Sequence, residues 1–144
     1  MKYPITTIAA LVLVGCGPSV PDISIHKAAE DGNIEAVKQH LAAGTDVNAK
    51  NSFGETVLHS SKTKEIAELL IAKGADVNAE RNNGGTPLHD AAANERKETA
   101  EFLIDEGADV NAKNKDGEKP LDLAIEDNYT EIFDLLRKTR RQDG

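Results

Sequence analysis

At 144 residues and 15.4 kDa, the chain has room for one domain and no second core of useful size. With 25 acidic against 17 basic residues, a formal charge of −8 and 3% aromatics, it lacks the positive face that neutralises phosphates and the rings that stack bases, so nucleic acid is excluded as a partner. A single cysteine excludes an internal disulfide and any cysteine-based zinc site.

The first sixteen residues differ from the rest. Lys2 is their only charge, and residues 5–14 form an uncharged run. Crossing a bilayer takes about 20 apolar residues, whereas a run this short behind one positive charge has the length of a signal peptide's apolar region. It closes in Leu13-Val14-Gly15-Cys16, which resembles the lipobox of bacterial lipoproteins. The resemblance implies that the Cys16 thiol receives a diacylglyceryl group and that cleavage makes Cys16 the first residue of an acylated, palmitate-bearing chain. Two acyl chains anchor stably where one is marginal. Gly17-Pro18-Ser19-Val20-Pro21 then reads as an extended tether, since Pro presets φ and Gly disfavours helix. Gly17 stands where the family places an Asp to hold proteins at the inner membrane, which implies an outer-membrane anchor facing the periplasm in a host with two membranes. The expected organisation is a signal peptide over 1–15, a lipid-anchored tether over 16–22 and one repeat domain over 23–144.

That domain repeats itself. Asp-Val-Asn-Ala recurs at 46–49, 76–79 and 109–112, and Gly44, Gly74 and Gly107 keep the same spacing. Leu58-His59 returns as Leu88-His89, with Ile25-His26 upstream and Leu121-Asp122 downstream. A period near 30–33 residues means a stacked repeat architecture, with units at about 23–52, 53–82, 83–115 and 116–144. Within a unit, Thr86-Pro87 predicts a helix start: Thr supplies a capping oxygen, and Pro at the first helical position loses no needed N–H. Polar turns follow at Asp31-Gly32-Asn33, Asn94-Glu95-Arg96 and Asp127-Asn128. Second helices carry the apolar pairs Leu69-Leu70, Phe102-Leu103 and Leu135-Leu136, and each glycine stands where a left-handed C-terminal cap is wanted.

Thr86-Pro87-Leu88-His89-Asp90-Ala91 followed by Gly107-Ala108-Asp109-Val110-Asn111-Ala112 resembles the ankyrin repeat. The resemblance covers about 23–144 and implies an all-α solenoid, a stack of helix-turn-helix units with hairpin fingers. Repeat 2 departs from it. Val57 replaces Pro, Ser61 replaces Ala, and three residues are missing between His59 and Gly74, which predicts a stunted first helix without a rebuilt binding face. The ends read as caps, with Gln39-His40 replacing an apolar pair in repeat 1 and Arg137 ending the row Leu41, Ile71, Ile104.

Chemistry finds little support. His26, His59 and His89 share one repeat position, but neighbouring helices stand roughly 8–10 Å apart and zinc ligands sit about 2 Å from their metal. A structural bond from each ring to loop backbone is expected instead, with His40 left solvated. Asp46, Asp76 and Asp109 are expected to satisfy local backbone. Ser60 and Ser61 beside His59 give only weak grounds for a small envelope hydrolase, because no oxyanion loop is apparent. Arg137, Lys138, Arg140 and Arg141 close the last helix, where cations complement its dipole. No cofactor or metal is expected.

The resemblance implies instead a face that grips another protein through finger tips and first helices. Carried onto this chain, those positions are Ser52, Phe53 and Glu55; Asn82, Asn83 and Gly85; and Lys115, Asp116 and Glu118, with Ser60 and Asp90 on the helix face. Phe53 is the one aromatic among them and either anchors a partner or packs on the next finger. The expectation is a monomeric, non-catalytic protein-binding lipoprotein of the bacterial envelope, held to the membrane through Cys16. An inhibitor or immunity protein for an envelope enzyme is the alternative.

Overall fold

The computed structural model describes residues 20–126 and 129–142. Cys16, the signal-peptide region and the expected turn at Asp127-Asn128 lie outside the described residues. Among the described residues seven helices follow in order: α1 Ile25–Glu30, α2 Ile34–Ala42, α3 Lys64–Ala72, α4 Pro87–Ala93, α5 Lys97–Asp105, α6 Pro120–Glu126 and α7 Thr130–Gln142. No strand occurs among the described residues, and the helices form an all-α repeat stack.

Four of the starts have a local cause. Ser24, Asn33 and Thr63 present side-chain oxygens to the backbone N–H of Lys27, Ala36 and Ile66. At α4, Pro87 opens the first turn while the His89 ring accepts the Thr86 N–H, a reciprocal cap. The ends are equally regular. Gly44 N–H donates to Leu41 O and Thr45 N–H to His40 O; Gly74 with Ala75, and Gly107 with Ala108, repeat both bonds one and two units on. That pair of bonds is a Schellman cap, which needs a left-handed residue. The three glycines supply it at φ 92°, 95° and 95°.

Burial follows the 3.6-residue period. Leu70, Leu103 and Leu136 are fully buried at equivalent places in α3, α5 and α7, with Ile66 and Ile132 one turn earlier, and Leu58 and Leu88 meet them from the first elements. Each such side chain contributes about 1.5–3 kcal/mol when fully buried. The second helices form one layer in the order α2, α3, α5, α7, and α4 and α6 pack side by side in the other.

Repeat 2 breaks the inner layer. Residues 57–60 form turns, not a helix, with His59, Ser60 and Ser61 N–H donating to the carbonyls three residues back. The stunting expected from the missing residues is therefore present, but its consequence differs from expectation. With no helix between α1 and α4, the face opens into a notch. His40 is a second correction: it is buried, and its Nε2–H donates to Ile23 O at 2.7 Å. A polar residue was tolerated there because backbone before α1 folds over it and supplies the acceptor. Arg137 is exposed as expected, its guanidinium 6.0 Å from the Phe133 ring.

Candidate functional site

Three fingers project between the helix pairs, each closed by two backbone bonds. They are Asn51 N–H to Glu55 O with Gly54 N–H to Asn51 O, and the same pairs at Arg81/Gly85 with Gly84, and at Asn114/Glu118 with Gly117. Neighbouring fingers are tied to one another, Asn82 N–H donating to Phe53 O at 3.0 Å and Lys115 N–H to Asn83 O at 2.8 Å. The approach is close enough that a Cβ on Gly54 would stand 2.8 Å from Asn82 N at a φ of +76°. Glycine is required there for space as well as for conformation.

Two further ladders hold the fingers in register. The first is the histidine column, whose Nε2–H groups donate to the finger carbonyl of the following repeat: His26 to Glu55 O, His59 to Gly85 O and His89 to Glu118 O, at 2.9–3.0 Å. The Nδ1 atoms of His59 and His89 accept the N–H of Thr56 and Thr86. Both ring nitrogens of these two are spent on structure, and burial, outweighing the carbonyl bonds, pushes their pKa values below the usual 6.5. His59 in this geometry offers no nitrogen to Ser60, so the hydrolase constellation is not assembled. In the last repeat Asp122 replaces His, and its carboxylate accepts Lys119 N–H at 2.8 Å.

The second ladder was missed at the sequence level. Asn48 donates to Gly74 O and accepts from Asp76 N–H, and Asn78 does the same with Gly107 O and Asp109 N–H. The signal was the Asn of the recurring Asp-Val-Asn-Ala. Its aspartates behave as expected, each accepting the N–H of the residue two places on.

The expected partner-binding residues divide into three groups by burial. Ser52, Phe53, Asn82, Asn83, Lys115 and Asp116 are exposed, and Ser60 is half-buried. Phe53 is 68% exposed, so most of its surface is left uncovered by the next finger. Glu55 and Glu118 are half-buried, accepting from Asn51 and Asn114 inside their own fingers. Gly85 and Asp90, expected on the exposed face, are buried. Gly85 is covered because Arg81 lies against it, with Arg81 Nε 2.8 Å from where a Cβ would be. Asp90 is covered because the same guanidinium reaches over it.

Arg81 is the residue that sequence reasoning passed by. Its Nη1 meets Glu55 Oε1 at 2.9 Å and its Nη2 meets Asp90 Oδ1 at 3.1 Å, joining the second finger to α4. Around this pair lies the notch, about 440 Å³, with Lys27 and Glu30 on the α1 side, Ser60 on the turn, Asn94 and Arg96 beyond α4, and Phe53 at the finger rim. Arg96 crosses from the turn before α5 to donate to Ser61 O at 3.1 Å. Burial pushes the Asp90 carboxyl up to about 6, against the pull of Arg81 and with Glu55 reinforcing it. Burial also raises Glu55, but hydrogen bonds from Asn51 and Arg81 outweigh it and hold that carboxyl below its usual range. Among the described residues, no group of three or more His, Cys, Asp or Glu is arranged to hold a metal ion.

Helices stacked in two layers, finger loops tied one to the next, and a histidine bond from each of the first three repeats to the following finger define a helical repeat protein of the kind that presents a surface. The family model described as Ankyrin repeats (3 copies) matches residues 25–114, more than half of the chain, and the chain belongs to that family. The helix pair α6–α7 lies beyond the matched residues. No curated protein matches the chain. Ankyrin repeats generally mediate protein–protein interaction, and the family is typically non-catalytic.

Proposed function

We propose that this chain is a non-catalytic adaptor of the bacterial envelope, anchored through a lipidated Cys16, that binds one protein partner across its finger tips and notch. The observation that carries the reading is Phe53. It is a large apolar side chain, 68% exposed, on a finger whose backbone is already bonded to its neighbour. Aromatics held rigidly at the centre of a surface concentrate binding energy, and a pre-ordered loop costs little entropy on association. The tether composition and the lipobox-like Leu13-Val14-Gly15-Cys16 support the anchor.

Two experiments test the two halves of the proposal. Changing Phe53, Asn83 and Asp116 to Ala together is expected to leave the thermal midpoint within a few degrees, since exposed changes cost under about 0.5 kcal/mol each. Binding to the partner captured from native membranes should fall severely. The control set, Lys38, Glu68 and Glu101 to Ala, lies exposed on the second helices. If the control set loses the partner while the tip set retains it at unchanged stability, the face is misassigned. For the anchor, the wild-type chain should partition with membranes and take up labelled palmitate, and Cys16→Ser should do neither. Equal solubility of both forms in the native host refutes the lipoprotein half.

A further inference from the structure

We propose that Asn83 is a self-modifying site: its side chain cyclises onto the backbone nitrogen of Gly84 and hydrolyses to an aspartyl or isoaspartyl residue, placing a new negative charge on the middle finger. The inference goes beyond the partner-binding reading and does not rest on it.

The chain has ten asparagines, and only Asn83 is followed by glycine. The reaction joins the side-chain carbonyl carbon of asparagine to the backbone nitrogen of the next residue, so a side chain on that residue stands in the way. Gly84 has none. The leaving group is free as well. Six other asparagines hold their amide nitrogens in hydrogen bonds, as Asn82 does to Ser52 O and Asn114 to Glu118 Oε2. Asn83 is exposed, and its Nδ2 has no acceptor among the described residues.

The arrangement is peculiar to the middle finger. In the outer fingers Asn51 and Asn114 accept the N–H groups two and four residues on. Arg81 occupies that position in the middle finger, and Asn83 Oδ1 takes the Gly85 N–H instead, at 2.9 Å. This bond turns the side-chain carbonyl toward the backbone that follows it and draws electrons from Cγ. Arg81 adds to the effect. Its Nε, a buried donor without an acceptor, stands 2.8 Å from the point where a Gly85 Cβ would lie, and Asn83 Oδ1 stands 3.0 Å from the same point. Negative charge gathering on Oδ1 as Cγ becomes tetrahedral therefore meets a bonded N–H and a neighbouring guanidinium, fixed donors of the kind that stabilise oxyanions.

In the first step Gly84 N loses its proton to hydroxide and bonds to Asn83 Cγ, while the Cγ–Nδ2 bond breaks and the amide leaves as ammonia. Water then opens the succinimide. Cleavage between Cγ and Gly84 N leaves aspartate; cleavage between the Asn83 main-chain carbonyl carbon and Gly84 N leaves isoaspartate, with the chain running through Cγ. Water is the only co-reactant consumed, and the formal charge goes from −8 to −9. Two bonds gate the reaction: Gly84 N–H donates to Arg81 O, and Asn83 O accepts Lys115 N–H, each at 2.8 Å. Both must open before the ring closes, so the folded finger reacts more slowly than a free peptide. Isoaspartate lengthens the backbone between these two bonds and prevents both from re-forming, whereas aspartate restores them.

The test incubates the full chain and a capped peptide of residues 79–88 in mildly alkaline buffer, digests samples at intervals, and follows each asparagine by mass spectrometry with chromatographic separation of the two acids. In the full chain Asn83 should convert before every other asparagine, more slowly than in the peptide, and more slowly again in mildly acidic buffer, where the nitrogen keeps its proton. Asn83→Gln, which keeps an exposed amide one carbon further out, should suppress conversion at that position. Hydrogen exchange at the Lys115 amide should be faster in the isoaspartyl form and unchanged in Asn83→Asp. The inference is overturned if another asparagine converts first, if the full chain shows no conversion at Asn83 over several half-lives of the peptide, or if Asn83→Gln converts as fast. Unchanged Lys115 exchange in the isoaspartyl form overturns the gating of the site by the finger tie.

Discussion

Asp90 carries its charge where little of the residue meets water, and burial raises its carboxyl from 3.8 to about 6. A carboxyl harder to ionise in the folded chain than in the unfolded one withdraws stability above pH 6 and restores it as pH falls toward 4. Asn has the same shape without the charge. Asp90→Asn is therefore expected to exceed wild type by about 1–3 kcal/mol at pH 8 and to match it near pH 4, as read from urea unfolding at the two values. An advantage absent at pH 8, or persisting at pH 4, contradicts the account. His59 and His89 act with the opposite sign. Their pKa values are lowered from 6.5, so their contribution is complete above that value and is lost as pH falls through the lowered one. The Asp90 effect is accordingly read as a difference between variant and wild type, in which the histidine contribution cancels.

At the scale of elements, the same motif yields a helix in one repeat and turns in another. In repeat 3, Pro87 presets the first turn, and α4 runs on to Ala93. In repeat 2, Val57 lacks that preset φ, and the chain must reach Thr63, the cap of α3, three residues sooner. It does so with three bonds of the tighter i to i−3 kind, anchored outside by Lys62 N–H to Ala29 O and by Arg96 to Ser61 O. Short runs of such bonds have little cooperativity. Amide hydrogen exchange is expected to be faster at residues 58–62 than at 88–92. Slower exchange there would show that the bonds from α1 and Arg96 hold the turn as firmly as a helix.

For the whole molecule, stability is transmitted from one repeat to the next through a small set of repeated bonds. A stack of this kind behaves as a sum of units and nearest-neighbour interfaces, so damage to one interface frays the side with fewer neighbours. His89→Ala removes the Nε2–H bond to Glu118 O and the acceptor of Thr86 N–H, leaving two backbone groups unpaired in a buried setting. The expected cost is about 2–4 kcal/mol, and exchange should accelerate most in α6 and α7. Uniform acceleration reaching α2 equally would mean that the stack unfolds only as one unit.

How much of this was legible in the sequence depends on the reach of each interaction. The family, the two-helix repeat, the helix start at Thr86-Pro87, the left-handed glycines and the backbone-bound histidines and aspartates could all be read from residue type and spacing. Those features are set by interactions within one repeat or by an identical relation between successive repeats, so periodicity exposes them. The stunted helix of repeat 2 was legible for the same reason, as a shortfall against a regular count. The notch was not, because a missing helix becomes a recess only when α1 and α4 stand on either side of it. The burial of Asp90 and Gly85 was equally hidden: it comes from Arg81, which lies on one finger alone and follows no period. His40 was misread because its acceptor, Ile23 O, arrives from a stretch before the first helix that no repeat rule describes. What recurs along this chain is determined by sequence, while what happens once, where elements distant in sequence meet, was decided only by the tertiary structure.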